Sequence, residues 1–597
     1  MRFILLNVLF ASLLSAELTV EQKALDFQAL AALYNKHYGP DEVKQQLFNF
    51  NIFDLKPWME RVKASKNDLE FYDICVEYVA SLNDSHDEFI LPSNFQAYLP
   101  VDLDIYEGKV LIDGIDRSVL SRPKFPFAIG DEVVSVDGKP IADIIKSLEK
   151  YAANGRGSKS TTRRLAVDAI TVRYQGFNPY AAAIGDTAVF EILESDGQIR
   201  RYELPYDKYG MPLTTAGTLP NPILSRLKPA PNKNIKATLT RTRGWDPEPD
   251  QTPDSPWGIG PDADDKARVQ PDPPVPSYMQ PLKDLDNAGI DNSVFAAATF
   301  GTLTPAFNPP PGFVTRVASS ANGFLTGTFP LNGKRVGFIR ITTMSPTSTT
   351  TAAAAFASEI AFMQANTDGL VIDVMRNGGG SLCYTETLLR YLFTKPFRSV
   401  AYEIRATNAW AQSYANAAVN AELSGADQWV IDLYWNYAHG MARSLEENRA
   451  RTGDLPICGP TFLGIQPAQS STGTLLAYQK PILVLTDDFT LSSAEAFTAL
   501  LQDGGRIRTF GTRTDGGGGN VNSFNATIFS ESTTRITRSL ITRDKPVQTP
   551  DYPAMRYWEN AGVYPDVLND IMTKQNLLTG GAPFVQAFTA EIGKMIQ

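Results

Sequence analysis

Cysteine and histidine are nearly missing from this 597-residue chain, with three of each. Cys75, Cys383 and Cys458 form an odd, sparse set with no CxxC and no Cys/His pair at metal spacing. That excludes a disulfide framework and a structural zinc, leaves room for one bridge at most, and makes a free buried thiol the expected state of each cysteine. A basic excess is lacking as well. The net charge of −10 argues against nucleic acid and against anionic membrane surfaces as partners. No apolar run is long enough to span a bilayer. The first residues have the layout of an export signal instead, with Arg2, an apolar stretch over 3–14 and the small pair Ser15-Ala16, so a signal peptide over 1–16 and an exported (periplasmic or secreted) protein are expected. No cofactor is expected.

What is present is ample core material, 43% hydrophobic and 10% aromatic residues, in a chain long enough for several domains. Residues 18–80 carry apolar positions at helical spacing, and the polar turn Leu82-Asn83-Asp84-Ser85-His86-Asp87 ends them, giving an N-terminal helical domain over 17–95. Over 96–205 the pattern is of strands with one short helix. Its telling piece is Ile129-Gly130-Asp131-Glu132-Val133-Val134-Ser135-Val136-Asp137-Gly138, an alternating strand that leaves through an Asp-Gly turn and resembles the signature of PDZ domains. Residues 206–323 form an insert whose first part, to about 285, is dense in proline (Pro271-Asp272-Pro273-Pro274-Val275-Pro276 is one cluster) and reads as a linker or lid. The rest, 324–597, reads as an α/β core: buried strands over 370–375 and 482–486, each followed by a helix, over 381–393 and 493–502.

Two strand-to-helix junctions in that core carry the chemistry. The first runs Asp373-Val374-Met375-Arg376-Asn377-Gly378-Gly379-Gly380-Ser381, and the second Thr490-Leu491-Ser492-Ser493-Ala494-Glu495. Ser492 at a helix start is a candidate nucleophile. The amides of Ser493 and of Gly379 or Gly380 are candidate oxyanion donors, because unhindered backbone N–H groups stabilise a tetrahedral intermediate. The segment from Ser492 to Glu495 is equally a capping box, S-x-x-E. A second glycine run, Gly516 to Gly519, reads as a rim along which substrate backbone lies close, or simply as a flexible loop. A serine nucleophile needs a base, and the three histidines are His37 at a helix end, His439 in an aromatic helix where core packing is expected, and His86 in a polar turn whose carboxylate neighbours favour the protonated ring.

The ordered set Asp373, Arg376-Asn377-Gly378-Gly379-Gly380, Thr490 to Glu495, Gly511 to Gly518 and Gly562-Val563-Tyr564-Pro565-Asp566 resembles the tail-specific or C-terminal-processing serine protease family, with its ClpP/crotonase-like α/β core. Many members pair the serine with a lysine at the place of Gly517, which is not available here. The chain is more similar to the His/Ser/Glu branch of tricorn core protease and chlamydial protease-like activity factor, through Leu82 to His86, Gly511 to Gly519 and Glu559 to Pro565. That resemblance implies a triad of Ser492, His86 as base and Glu559 as orienting acid, a protein or peptide substrate, and, by analogy, a homodimer and a precursor processed in the insert. The alternative is a peptide-binding protein on the same fold that has lost turnover.

Overall fold

The computed structural model describes residues 17–152, 155–216, 302–426 and 428–597. The expected export segment and most of the Pro-rich insert lie outside them.

The centre is a seven-stranded sheet. A meander of Val314–Ser319, Phe324–Leu331 and Lys334–Ile341 leads into four parallel strands, Gly369–Asp373, Ile482–Thr486, Arg508–Gly511 and Val567–Leu568, in that spatial order. The Asn332-Gly333 hairpin has both residues at positive φ (49° and 78°), which Asn and Gly tolerate. Gly369–Asp373 and Ile482–Thr486 are buried along their whole length, as strands covered on both faces must be. One face packs on the Thr349–Asn366, Leu382–Arg390 and Ser493–Asp503 helices, and the other on Phe584, Phe588 and Ile592 of the last helix, Ala582–Met595. Two further helices, Asn408–Leu423 and Gln428–Glu446, follow in the core segment.

The second unit is a strand-rich domain in the order Val101–Tyr106, Lys109–Ile115, Glu132–Val136, Thr187–Leu193 and Ile199–Pro205, with Lys139–Pro140 added to the third strand. Asp137 and Gly138 make the predicted turn, at φ 49° and 74°, and Ile141–Leu148 is the helix after it.

The N-terminal part is four helices, α1 (Val20–His37), α2 (Asp41–Phe48), α3 (Lys56–Ala64) and α4 (Asp68–Ala80). They do not form a separate body. Their core includes Ala526 and Ile536 from the C-terminal half, and Glu88–Ile90 pairs antiparallel with Thr533–Thr537, Phe89 opposite Thr534. Asp26 accepts the amides of Ile528, Phe529 and Ser530. The two ends of the chain are stitched together here, and the stitching delivers the His86 turn to the core.

The thiols depart from expectation. Cys75 is free and buried, but Cys383 and Cys458 are joined, their Cα atoms 5.1 Å apart. The first turn of the helix after the Gly378–Gly380 loop is thereby tied to a segment 75 residues later. Neither sequence spacing nor metal-type pairing could show that contact, because it depends on how the two intervening helices fold back.

Candidate active site

Strand Ile482–Thr486 ends at Asp487, whose carboxylate accepts the amides of Arg376 (2.8 Å) and Phe489 (3.2 Å) and so ties the two junctions together. Leu491 N–H donates to Asn377 O at 2.9 Å, a second tie. Ser492 then stands at φ 58°, ψ −120°, a region that a residue with a Cβ occupies only under strain. An ordinary N-cap has extended backbone, as Ser381 does before its helix. The capping-box reading is therefore half right. Glu495 does accept the Ser492 N–H at 2.9 Å, but Ser492 is held in a sharp elbow at the head of the helix.

The glycine loop fits against that elbow at van der Waals limit. A Cβ on Gly379 would lie 2.7 Å from Ser492 Cβ and 2.8 Å from Ser493 N, so a bare Cα is required there. The Gly379 N–H, however, donates to Asn377 Oδ1 at 2.9 Å. Of the two candidate glycine amides, this one is thus already engaged by a side chain. Gly380 differs. It bridges to Met344 through the Gly379 carbonyl and the Ser381 amide, which turns its own N–H and C=O the other way. That carbonyl accepts from Ser493 Oγ at 2.5 Å.

His86 arrives from the opposite end of the chain. Asp84 caps the turn by accepting the His86 N–H (2.9 Å), Thr537 Oγ1–H (3.0 Å) and Tyr38 O–H (3.0 Å), and Asp87 accepts the Thr537 N–H (2.7 Å). His86 is 95% buried, and among the described residues its Nδ1 has no hydrogen-bond partner. Burial depresses its pKa to about 4, against the upward pull of Asp84, with Arg535 and Lys44 adding to the depression. The expectation of a protonated ring is thus reversed, because desolvation outweighs the neighbouring carboxylate. A neutral imidazole at pH 7 is the form that can take a proton.

Gly517 links His86 to the elbow. Its amide donates to the same Glu495 oxygen as Ser492 N–H, at 2.8 Å, and a Cβ on it would lie 3.1 Å from His86 Cε1 and 2.3 Å from Leu491 Cδ1. A side chain at this position would run into both Leu491 and the imidazole, so the place is glycine. The Gly516–Gly519 run is buried, not a substrate rim. Gly516 and Gly517 N–H hold Glu495, and Gly518 N–H holds Glu559 Oε2 at 2.7 Å.

Glu559 is fully buried beside this loop, but its partners are Gly518 and Lys44, not His86. Lys44 Nζ lies 2.5 Å from Oε1. Burial and Asp84 push its pKa up to about 7 against the pull of Lys44. Glu495 is pushed up by burial to about 8 and Asp515, which accepts from Ser85 Oγ, to about 7. The other two histidines stand elsewhere. His37, buried and stacked 4.7 Å from Phe524, has a pKa lowered to about 4 by burial, so it is neutral at pH 7. His439 is exposed beside Trp435, not in the core.

Lys44, Glu495 and Asn377 were not legible as site residues. Glu495 had a signal in the capping box. Lys44 had none, since a lone lysine in a short amphipathic helix reads as solvent-facing.

A strained serine at a helix head, packed against a glycine loop, with a buried histidine against Gly517, is an arrangement suited to serine-type peptidase chemistry. Residues 335–567 match peptidase family S41 and residues 95–208 match the PDZ domain. A protein of Chlamydia trachomatis is 24% identical over 92% of this chain and 89% of its own length, and one of Chlamydia pneumoniae is 23% identical over 85% and 81%. The structure of mature CPAF complexed with lactacystin superposes with a TM-score of 0.68 at 17% identity, covering 97% of this chain and 99% of that one. Residues 335–567 are thus similar to peptidase family S41 and residues 95–208 to the PDZ domain, on a fold like that of mature CPAF. Among the described residues no helix is long and apolar enough to cross a membrane.

Proposed function

We propose that this protein is an exported endopeptidase with Ser492 as nucleophile, His86 as general base and Glu559 as the acid that compensates the charge of the ring. His86 takes the Ser492 hydroxyl proton as Oγ attacks a peptide carbonyl. The amides of Ser493 and Gly380 receive the oxyanion. His86 returns the proton to the leaving amine, and water, activated by the same ring, clears the acyl-enzyme. The observation that carries the reading is the strained Ser492 elbow sharing one Glu495 oxygen with Gly517, whose missing side chain is where His86 sits. Export is supported by the N-terminal apolar stretch and by the Cys383–Cys458 bond, which persists in oxidising compartments.

A fluorophosphonate probe tests the assignment. Ser492→Ala should abolish labelling and lower peptide turnover by on the order of 10⁶. His86→Ala should lower both by several orders of magnitude, with the fold intact by circular dichroism. Labelling that persists in Ser492→Ala sends the nucleophile elsewhere.

A further inference from the structure

The base side of the site holds a buried cation that the triad does not use. Lys44, within α2, is inaccessible to solvent, and its Nζ donates to Asn83 O (3.0 Å), Glu559 Oε1 (2.5 Å) and Asn560 Oδ1 (2.6 Å). Three N–H groups meet three acceptors, so the ammonium is saturated. Asn83 lies three residues before His86, and Asn560 directly follows Glu559. Both asparagines have positive φ, 51° and 61°, and Asn560 Nδ2 also donates to Asn83 O at 2.8 Å. One side chain therefore pins the turn of the base to the turn of the acid. With Gly518 N–H on Oε2, both oxygens of Glu559 are fixed. The other charged or titratable groups facing this pair are acidic or neutral: Asp84, 3.9 Å from Nζ, Asp87, Tyr38 and Tyr552, while Arg535 and Lys44 face His86. A buried ion pair is a poor stabiliser, because desolvation takes back most of the attraction. Its presence here calls for a reason beyond stability.

We infer that Lys44 is a positioning residue of this peptidase: it fixes Glu559 in place beside the His86 turn and favours its ionised form, so that carboxylate charge is at hand when the imidazolium forms as Ser492 attacks. The inference rests on the triad reading above. With Lys44 present, burial and Asp84 already raise Glu559 to about 7. Without the ammonium, Glu559 takes a proton at neutral pH and the charged ring loses its counterweight. The Ser492 proton still has only His86 to receive it, and no other bond changes.

The test is the second-order rate of fluorophosphonate labelling from pH 5.5 to 9.5, with melting temperatures, on the full chain. Lys44→Met should label at least tenfold more slowly at pH 7, with its acid limb moved up by one unit or more and most of the rate regained at pH 9. Lys44→Arg, which keeps the charge, should leave the limb near that of the wild type. An acid limb in Lys44→Met that coincides with the wild type, whether the rate is unchanged or uniformly lower, overturns the inference. If Lys44→Met does not fold, the wild type and Glu559→Gln decide: a wild-type acid limb that survives in Glu559→Gln also overturns it. Labelling of Ser492→Ala would sink the triad itself, whereas Ser492-dependent labelling with an unshifted limb sinks only the role of Lys44.

Discussion

The nucleophile side and the base side of the site are built by different physics. Ser492, Ser493 and Gly380 lie in the junctions that follow two adjacent parallel strands of one sheet, and they are fixed mainly by backbone bonds and the shape of two glycines, with Asp487 and Glu495 accepting backbone amides. His86, Lys44 and Glu559 come from the two ends of the chain and are fixed by buried ionisable groups. Steric restraint is insensitive to pH and salt, whereas buried charge responds to every neighbour. One side of the site should therefore be robust and the other tunable.

The sharpest way to break that contrast is Gly517→Ala. The added methyl would meet Leu491 Cδ1 at 2.3 Å and His86 Cε1 at 3.1 Å. We expect labelling to fall by roughly 10²-fold or more, as misplacement of a reacting group can cost, with about 1–3 kcal/mol of stability lost to overpacking. A normal labelling rate would mean that His86 does not need that space. Next is the disulfide, near the nucleophile side. Cys383→Ser should cost roughly 2–4 kcal/mol by thermal or urea unfolding. The labelling rate per folded molecule should stay within about tenfold of wild type, because Gly380 is held independently by Met344 and Ser493. A larger loss of rate would show that the nucleophile side is less self-sufficient than its geometry implies.

The smallest expected effect is on stability against pH. Glu495 at about 8 and Asp515 and Glu559 at about 7 hold protons in the folded chain that the unfolded chain releases near pH 4. Stability is therefore lost as pH rises from about 4 up to those folded-state values, by roughly 1.4 kcal/mol per unit for each proton held, and the loss levels off once the groups ionise in the folded chain. His86 and His37, depressed to about 4, act oppositely: the unfolded chain binds their protons below about 6.5, so stability rises with pH between 4 and 6.5. Below pH 6.5 the two sets oppose each other, and above it only the carboxylates act. The melting temperature should therefore fall from pH 6.5 to 8.5, and Glu495→Gln should flatten the fall. A melting temperature that climbs over that interval contradicts the buried-carboxylate account.

The same contrast explains what could be read in the sequence. The α/β core, the Asp137-Gly138 and Asn332-Gly333 turns and the Ser492 helix follow from periodicity and turn chemistry over a few residues. So did the glycine loop, although not which amide in it is free, since that depends on where the Asn377 side chain folds. On the base side, residue order implied little. His86 and Glu559 came from family likeness, and Lys44 stayed hidden because its three acceptors are supplied by Asn83, Glu559 and Asn560, up to 516 positions away. The protonation of His86 was misjudged for the same reason: its near neighbours in sequence are carboxylates, whereas its environment in space is a dry interior.

The pairing of Glu88–Ile90 with Thr533–Thr537 also has a temporal meaning. A ribosome finishes the helices around Lys44 and the His86 turn long before it reaches the strand that anchors them, and closing so large a loop is entropically late in folding as well. The nucleophile elbow can assemble earlier, yet it has no proton acceptor until residues 533–559 have emerged. If the proposed triad is correct, a nascent chain would in this way lack hydrolytic power while its own unfolded segments are still exposed beside it.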